Sequence, residues 1–489
     1  MKRAPAPTVL ALSALLLAGC AAVGPNFERP APPADTAYVA TPEPAGAPAP
    51  ALGEGPSLRW WEAFGSAKLD ALVDRAIAGN QSLAASNATL ERAREHLAAV
   101  AGGRLPQVDA SANASRQEVN LASFGFDPSS FGITGGNPIF NLYSVGGGVS
   151  YDLDLFGGKK REQERAAAQA EAQLHETEAA HLTIAGRVVN QALTIAAIRA
   201  RIDTANDVIA DAGRYLDLTR ARQRAGKGNS VDVLQAQSRL AAGQATLPPL
   251  QQQLAEARNM LAILLGVAPT ELGATDFAMG DFTLPADVPV TLPSALVHKR
   301  PDILQAEADL HAATAGVGVA TAKLYPDITL GASLTQSSPG IGSILDEGFR
   351  AFDIFAGVTA PIFHGGTLKA EKRAAEADTR AAAATYRQTV IEAFGQVANL
   401  LGALDTDARG VAAQQDAAST AQRSRDLSQR AYEVGSGTVL QVLDADQALQ
   451  QARATLVDAR ARQLLNVARL YVATAGGWTG PAQVANAAD

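Results

Sequence analysis

One cysteine, Cys20, stands in a chain of 489 residues, so no disulfide can form within it. Methionine is almost missing. Met1, Met260 and Met279 are the three present and none clusters, which argues against a thioether site for copper. The six histidines are scattered, and His175 and His181 fall on different faces of a helical stretch, so no metal pair follows. The balance of charge is −8, which gives a nucleic-acid role no electrostatic support. Aromatic residues make up only 5% of the chain, while alanine is abundant, a composition suited to long, closely packed helices. No stretch of the body holds about 18 consecutive apolar residues, so no transmembrane helix is expected. Enzyme signatures are missing as well. Ahead of RAGKGNS (224–230), Ala221 stands where a phosphate loop needs glycine, and Gly228 follows the lysine; GVGVAT (316–321) lacks the third glycine of a dinucleotide loop. No catalytic residues, metal or soluble cofactor are expected.

What is present begins with a targeting segment. Lys2 and Arg3 precede an apolar run at 9–18, and about ten residues are too few for the about 20 a spanning helix needs. Leu17, Ala18, Gly19 and Cys20 then resemble a bacterial lipobox, in which cleavage before the cysteine would leave Cys20 to carry a covalent lipid. The next residue is Ala21, not Asp, which favours the outer membrane over the inner one. Residues 29–56 are rich in Pro and Ala and read as an extended tether.

The body is written twice. GRLPQVDASANAS (103–115) has a counterpart in AKLYPDITLGASL (322–334); DLFGGKK (154–160) in PIFHGGTLK (361–369); RAGKGNSVDVLQAQ (224–237) in EVGSGTVLQVLDAD (433–446). Each copy reads helix, strand, loop, strand, long helix, tight turn, helix. The boundaries read as a signal peptide at 1–19, the lipidated Cys20 and tether at 20–56, a first repeat at 57–270, a second repeat with an equatorial segment at 271–480, and a tail at 481–489.

Four segments alternate with period two. Val108, Ala110, Ala112 and Ala114 oppose Gln107, Asp109, Ser111, Asn113 and Ser115. Val145, Val149, Tyr151, Leu153 and Leu155 oppose Ser144, Ser150, Asp152 and Asp154. Ile328, Leu330, Ala332 and Leu334 oppose Asp327, Thr329, Ser333 and Thr335; Ile354, Ala356, Val358 and Ile362 oppose Gly357 and Thr359. At about ten residues each, they have the length of tilted membrane strands. The alternation alone fits a soluble sandwich equally well. Loops at 117–143 and 337–351 join the strands on one side and only helix leaves on the other, which favours a membrane sheet. The helices are long: 158–225 and 367–434 contain no proline, and about 68 residues at ~1.5 Å each extend about 100 Å. Ile184, Val188, Ile195, Ile198, Ile202, Ala205, Ile209, Ala212 and Leu216 keep a heptad whose one gap is Gln191; Val390, Ala393, Val397, Leu400, Leu404 and Val411 do the same. Open strand edges cannot stand in lipid. Membrane barrels start at about eight strands, so more than one chain must close the sheet. The fold class is a mixed α and β membrane protein. Each chain supplies four transmembrane β-strands and long coiled-coil helices, which oligomerise into a β-barrel continued by a periplasmic α-helical barrel.

In this setting the chain resembles the TolC-like outer-membrane factors, in their OprM-like lipoprotein branch. The motifs behind this are Val23-Gly24-Pro25-Asn26-Phe27 after the lipobox, Trp60-Trp61 with Phe64, Leu247-Pro248-Pro249-Leu250, LAILLGVAP (261–269), Leu292-Pro293-Ser294, Arg300-Pro301-Asp302 and Tyr325-Pro326. The resemblance implies a homotrimer with a 12-stranded barrel and a 12-helix tunnel. It implies a periplasmic membrane-fusion adaptor, an inner-membrane transporter of the RND type and outer-membrane lipid as partners. It implies adaptor contact at the tips, carried over to Gly226, Gly228, Val231, Gly435, Gly437 and Leu440. It implies an aperture gate at Asp444, with Gln441 at the position where relatives carry a second acid, and a latch between Tyr432 and Asp232. Asp446 reads as surface. The function implied is the exit duct of a tripartite efflux pump for drugs or other small molecules. Duct alternatives are type I protein secretion and metal-ion export; a different class is a coiled-coil lipoprotein spacer without a pore.

Overall fold

The computed structural model describes residues 22–32, 37–38, 49–120, 125, 137–273 and 275–474. The signal segment, Cys20 and the tail at 481–489 lie outside the described residues. Two compact units are present, and each takes segments from both repeats.

The first unit holds an antiparallel sheet of four strands: β2 (Gln107–Glu118), β3 (Ile139–Asp152), β5 (Asp327–Ser338) and β6 (Arg350–Thr359), in the order β2-β3-β5-β6. Its register gathers the apolar residues on one face. Val108 lies opposite Val149, Val149 opposite Ala332, and Ala332 opposite Ile354. One position along, Asp109, Gly148, Ser333 and Asp353 form the matching row on the other face. Side chains alternate across a pleat, so a one-residue slip would invert every strand. On the polar face, Phe355 lies opposite Gly331, where a Cβ would meet the Phe355 ring at 2.4 Å, so that glycine makes room for the aromatic. The strands are shorter than their alternation suggested. β3 ends at Asp152 and β6 at Thr359, leaving Leu155 and Ile362 beyond them. At β3 the cause is a turn in which Gly157 N–H bonds Asp154 O, preparing the helix that follows.

The segment after the lipobox is docked in this unit. Val23 N–H donates to Phe156 O at 3.0 Å. The buried Arg161 guanidinium donates to Val23 O at 3.1 Å, to Asn26 Oδ1 at 2.7 Å and to Glu164 at 2.7 Å. Phe27 stacks on His311 at 4.4 Å, and His311 meets Glu164 at 3.0 Å.

The second unit is helical apart from β1 (Ala49–Leu52), which pairs in parallel with β4 (Asp287–Val290). Residues 49–52, read as part of an extended tether, are thus a paired strand. Tyr38 is also held, donating to Thr291 O at 2.5 Å and packing edge-on to Phe394. Backbone groups of the Pro/Ala segment find partners here that an isolated extended chain would leave to water.

Helix α1 (Ala67–Gly79) and helix α2 (Gln81–Gly102) meet at buried Asn80. Its Oδ1 accepts from Ser82 and Leu83 N–H, and its Nδ2 donates to Leu264 O at 2.7 Å. Two 67-residue helices, α3 (Gly158–Arg224) and α7 (Thr367–Glu433), each turn back into a shorter one, α4 (Ser230–Leu264) and α8 (Val439–Thr474). Helix α5 (Pro293–Leu296) and helix α6 (Pro301–Ala322) precede β5. The expected heptad is buried on α3 at Ile184, Val188, Ile195, Ile198, Ile202, Ala205, Ala212 and Leu216. Its gap is satisfied: Gln191 Nε2 donates to Ala257 O at 2.9 Å. Trp60, Trp61, Phe64 and Tyr471 anchor the core.

Candidate functional site at the helix tips

Both long helices end in the same hydrogen-bond pattern. Gly226 N–H bonds Gln223 O and Lys227 N–H bonds Arg222 O; Gly435 N–H bonds Tyr432 O and Ser436 N–H bonds Ala431 O. This is the Schellman pairing, and it needs a left-handed residue at the first glycine. Gly226 has φ +72 and Gly435 φ +83. Gly228 and Gly437 are not left-handed; at Gly437 a Cβ would stand 3.0 Å from Ala431 Cβ.

The returning helices are capped from side chains. Asn229 Oδ1 accepts from Asp232 N–H at 2.8 Å. Thr438 and Gln441 form a reciprocal box, in which Thr438 N–H donates to Gln441 Oε1 and Gln441 N–H to Thr438 Oγ1. Gln441 therefore holds the start of α8. Asp444 lies one turn further and is exposed. Val231 and Leu440 are also exposed, at 61% and 58%.

Tyr432 is buried. Its ring carries the Arg222 guanidinium at 4.3 Å and sits 5.9 Å from the Tyr215 ring. Within the chain it makes no hydrogen bond to Asp232. Burial pushes the Tyr215 phenol well above its usual range, helped by the neighbouring Tyr432 and the Asp232 charge.

Asp446 is not a surface residue, which corrects the sequence reading. Arg425 Nε donates to its Oδ1 at 3.1 Å, and the same guanidinium lies 3.3 Å from Asp426 and 3.6 Å from Asp211. Burial raises the Asp446 carboxyl above the usual carboxylate range, against the pull of Arg425. Asp211, Tyr215, Arg425, Tyr432 and Asp446 line a cavity of about 150 Å³. Arg222, Tyr215, Asp211 and Arg425 were not foreseen. The signal for Asp446 was available, since Val442, Asp446 and Leu449 follow steps of four and three along one face.

The model of the family described as outer membrane efflux protein matches residues 72–267 and 292–476. The chain belongs to the outer membrane efflux protein family. Among relatives, the pyoverdine export outer membrane protein OpmQ of Pseudomonas aeruginosa is 32% identical over 87% of this chain and 88% of its own. Outer membrane protein OprJ of Pseudomonas aeruginosa is 29% identical over 97% of each. The solved outer-membrane channel OprN is similar with a TM-score of 0.84 at 27% identity, covering 93% of this chain and 99% of that one. The open state of the Neisseria gonorrhoeae MtrE channel gives 0.76 at 27%, covering 94% and 98%. The two solved relatives are outer-membrane channels, and the described four-stranded sheet and long helices have the family's fold.

Proposed function

We propose that this outer membrane efflux protein is the exit duct of a tripartite pump, working as a homotrimer. The observation that carries this is the sheet. It has one apolar face, two open edges and helices of 67 residues joined directly to its strands. Three copies of four strands make twelve, above the about eight at which membrane barrels begin. Cys20 carries the lipid anchor, and the docked segment at 22–27 holds the chain that follows it. The partners are a periplasmic membrane-fusion adaptor, meeting the tips at Val231, Leu440 and the glycine turns, and an inner-membrane transporter of the RND type. Asp444, repeated around the axis, narrows the closed end and favours cations. Tyr432 and Asp232 latch neighbouring helix pairs. Opening is a two-state change of the tips biased by the adaptor. Relatives named for pyoverdine export and toluene efflux support small-molecule cargo, with selection left to the transporter.

Single-channel conductance of the purified protein in planar bilayers tests this, wild type against Asp444→Ala combined with Tyr432→Phe. Small cation-selective currents that grow in the variant are expected. Silence in both forms, from a stable oligomer, would overturn the duct in favour of a spacer. Equal currents in both would keep the duct and remove this gate.

A further inference from the structure

The middle of the sheet's polar face is built from small side chains: Gly148 and Ser150 on β3, Thr329, Gly331 and Ser333 on β5, and Gly357 on β6. Phe355 stands among them. It ends the row Gln107, Ser150, Gly331, Phe355. A Cβ on Gly331 would stand 2.4 Å from two atoms of the Phe355 ring. The ring therefore lies across the β5 backbone, and Gly331 is buried beneath it. Phe355 itself stays 48% exposed. Phe352 is exposed too, but it shares the other face with Ile354 and Val358, where lipid covers apolar side chains. Phe355 has no such cover. It offers a flat apolar surface to the wet side of the sheet.

The charge around the ring has one sign. The ionisable strand residues on this face are Asp109, Asp152, Asp327 and Asp353. Arg116 and Arg350 fall on the opposite face, in step with Val108 and Ile354. Asp152 is already matched, by Lys159 Nζ at 2.7 Å and Thr329 Oγ1 at 2.9 Å. The Asp353 carboxylate is exposed and has no partner among the described residues. It stands two residues from Phe355 on the same face, about 7 Å along the strand.

We propose that Phe355 and Asp353 form a binding site for organic cations that carry an aromatic ring. The proposal rests on the duct reading above and names a class of cargo that the passage holds on its way through. The ligand's ring stacks on the exposed face of Phe355, and its cationic head lies toward the Asp353 carboxylate. Gly331 fixes the platform by letting the phenyl ring lie flat, so little freedom is lost when a ligand arrives. The glycines and serines beside it leave room for the ligand's body. Carboxylates without a neighbouring cation repel organic anions of the same shape. An inorganic cation meets the charge but gains nothing from the ring's apolar surface.

Saturation-transfer NMR on the full chain in non-ionic detergent tests the site, with benzyltrimethylammonium as the probe. Tetramethylammonium supplies the charge without the ring, and benzenesulfonate the ring with the opposite charge. Benzyltrimethylammonium should bind better than either. Phe355→Leu keeps an apolar side chain but removes the aromatic face, and should raise the half-saturating concentration about two- to fivefold. Asp353→Asn should weaken binding by a similar factor, and added salt should bring the wild type toward that variant. Phe355→Tyr keeps the platform and should bind as the wild type does. Phe352→Leu, on the lipid side, should also leave binding unchanged. If Phe355 serves only to cover Gly331, Phe355→Leu will lower the yield of oligomer while binding per oligomer stays at the wild-type value, and the site is refuted. Benzenesulfonate binding as tightly as the cation would overturn the selection for positive charge. Conductance keeps the duct separate. Currents without Phe355-dependent binding would keep the duct and sink the site; Phe355-dependent binding to a protein that passes no current would keep the site and sink the duct.

Discussion

The Arg222 guanidinium lies 4.3 Å from the centre of the Tyr432 ring and donates to the Tyr432 backbone oxygen at 3.3 Å. One side chain thus ties the end of α3 to the end of α7, beside both glycine turns. A cation over an aromatic face contributes about 0.5–2 kcal/mol, and a charged hydrogen bond about 1.5–3 kcal/mol. Arg222→Ala should loosen the tip by about 2 kcal/mol, read as faster amide exchange across 427–437 and larger conductance. Tyr432→Phe keeps the ring and the backbone oxygen, so it should leave exchange at the tip nearly unchanged. If Arg222→Ala leaves both exchange and conductance at wild-type values, Arg222 does not hold the tip, and any opening by Tyr432→Phe belongs to the phenol latch between helix pairs alone.

The two glycines of each turn should behave differently. Gly435 has φ +83, a conformation that costs an ordinary residue about 1–2 kcal/mol. Gly435→Ala should destabilise the α7–α8 turn by about that amount, seen as local exchange without change in the far end of the helices. Gly437 is not left-handed, and its added Cβ would press on Ala431 at 3.0 Å. Ala431 C and Tyr432 N stand at 3.1 Å as well, so Gly437→Ala tests packing against the end of α7 where Gly435→Ala tests φ. Equal costs would show that packing, not φ, sets the price of side chains here.

Much of this arrangement was legible in the chain because period and punctuation are local. Val108 and Ile328 begin alternations that the sheet keeps, and Ile195 and Val397 are fully buried on stripes whose members Ile209, Leu400 and Val411 are half-buried. Strand ends were less legible. Leu155 continues the alternation in sequence but falls in the turn closed by Gly157 N–H on Asp154 O, and Ile362 lies past the end of β6. The pairing of 49–52 was not legible because β1 is stabilised by β4, more than 200 residues away, and composition carries no trace of a distant partner. At the tips, the glycines announced the turns. Arg425 did not announce its three aspartates, since Asp211 and Asp446 lie on other helices. The Val23–Phe27 motif was recognisable as a pattern, but only Arg161 and His311 give it a physical purpose.

That purpose can be tested at Arg161. Its guanidinium is 5% exposed and binds Val23, Asn26 and Glu164. Arg161→Ala should release residues 22–27, costing about 2–3 kcal/mol locally. Brief proteolysis in vesicles should then cut near Asn26 in the variant and spare the wild type. Arg161→Lys restores one charge but not the fork, so it should protect only partly. Equal protection in all three would mean that Phe27 on His311 holds the segment alone.

Trp60 stacks on Tyr471 at 5.7 Å and is 1% exposed. Trp60→Ala should cost about 3–5 kcal/mol and lower the yield of heat-resistant oligomer. The indole N–H has no partner among the described residues, so Trp60→Phe forfeits volume but no hydrogen bond. It should cost clearly less than Trp60→Ala. Unfolding midpoints in detergent for the two variants would separate packing from a hidden polar contact, which would make them equal.

Asp446 gives the tip a dependence on pH. Burial holds its carboxyl above the usual range, with Arg425 and Arg239 pulling down and Asp211 pushing up. The folded chain therefore keeps this proton to higher pH than the unfolded chain, whose aspartate titrates near about 4. Stability from this group is full below that value and declines as pH rises through the folded one. Amide exchange at 422–446 should quicken in the wild type as pH climbs above about 4, after correction for intrinsic exchange rates. Asp446→Asn cannot ionise, and Arg425 keeps Asp426 and Asp211. The variant should lose that slope and match the wild type best at the acid end. If both proteins quicken alike, another group carries the pH response and the Asp446 proton is not part of the tip's stability.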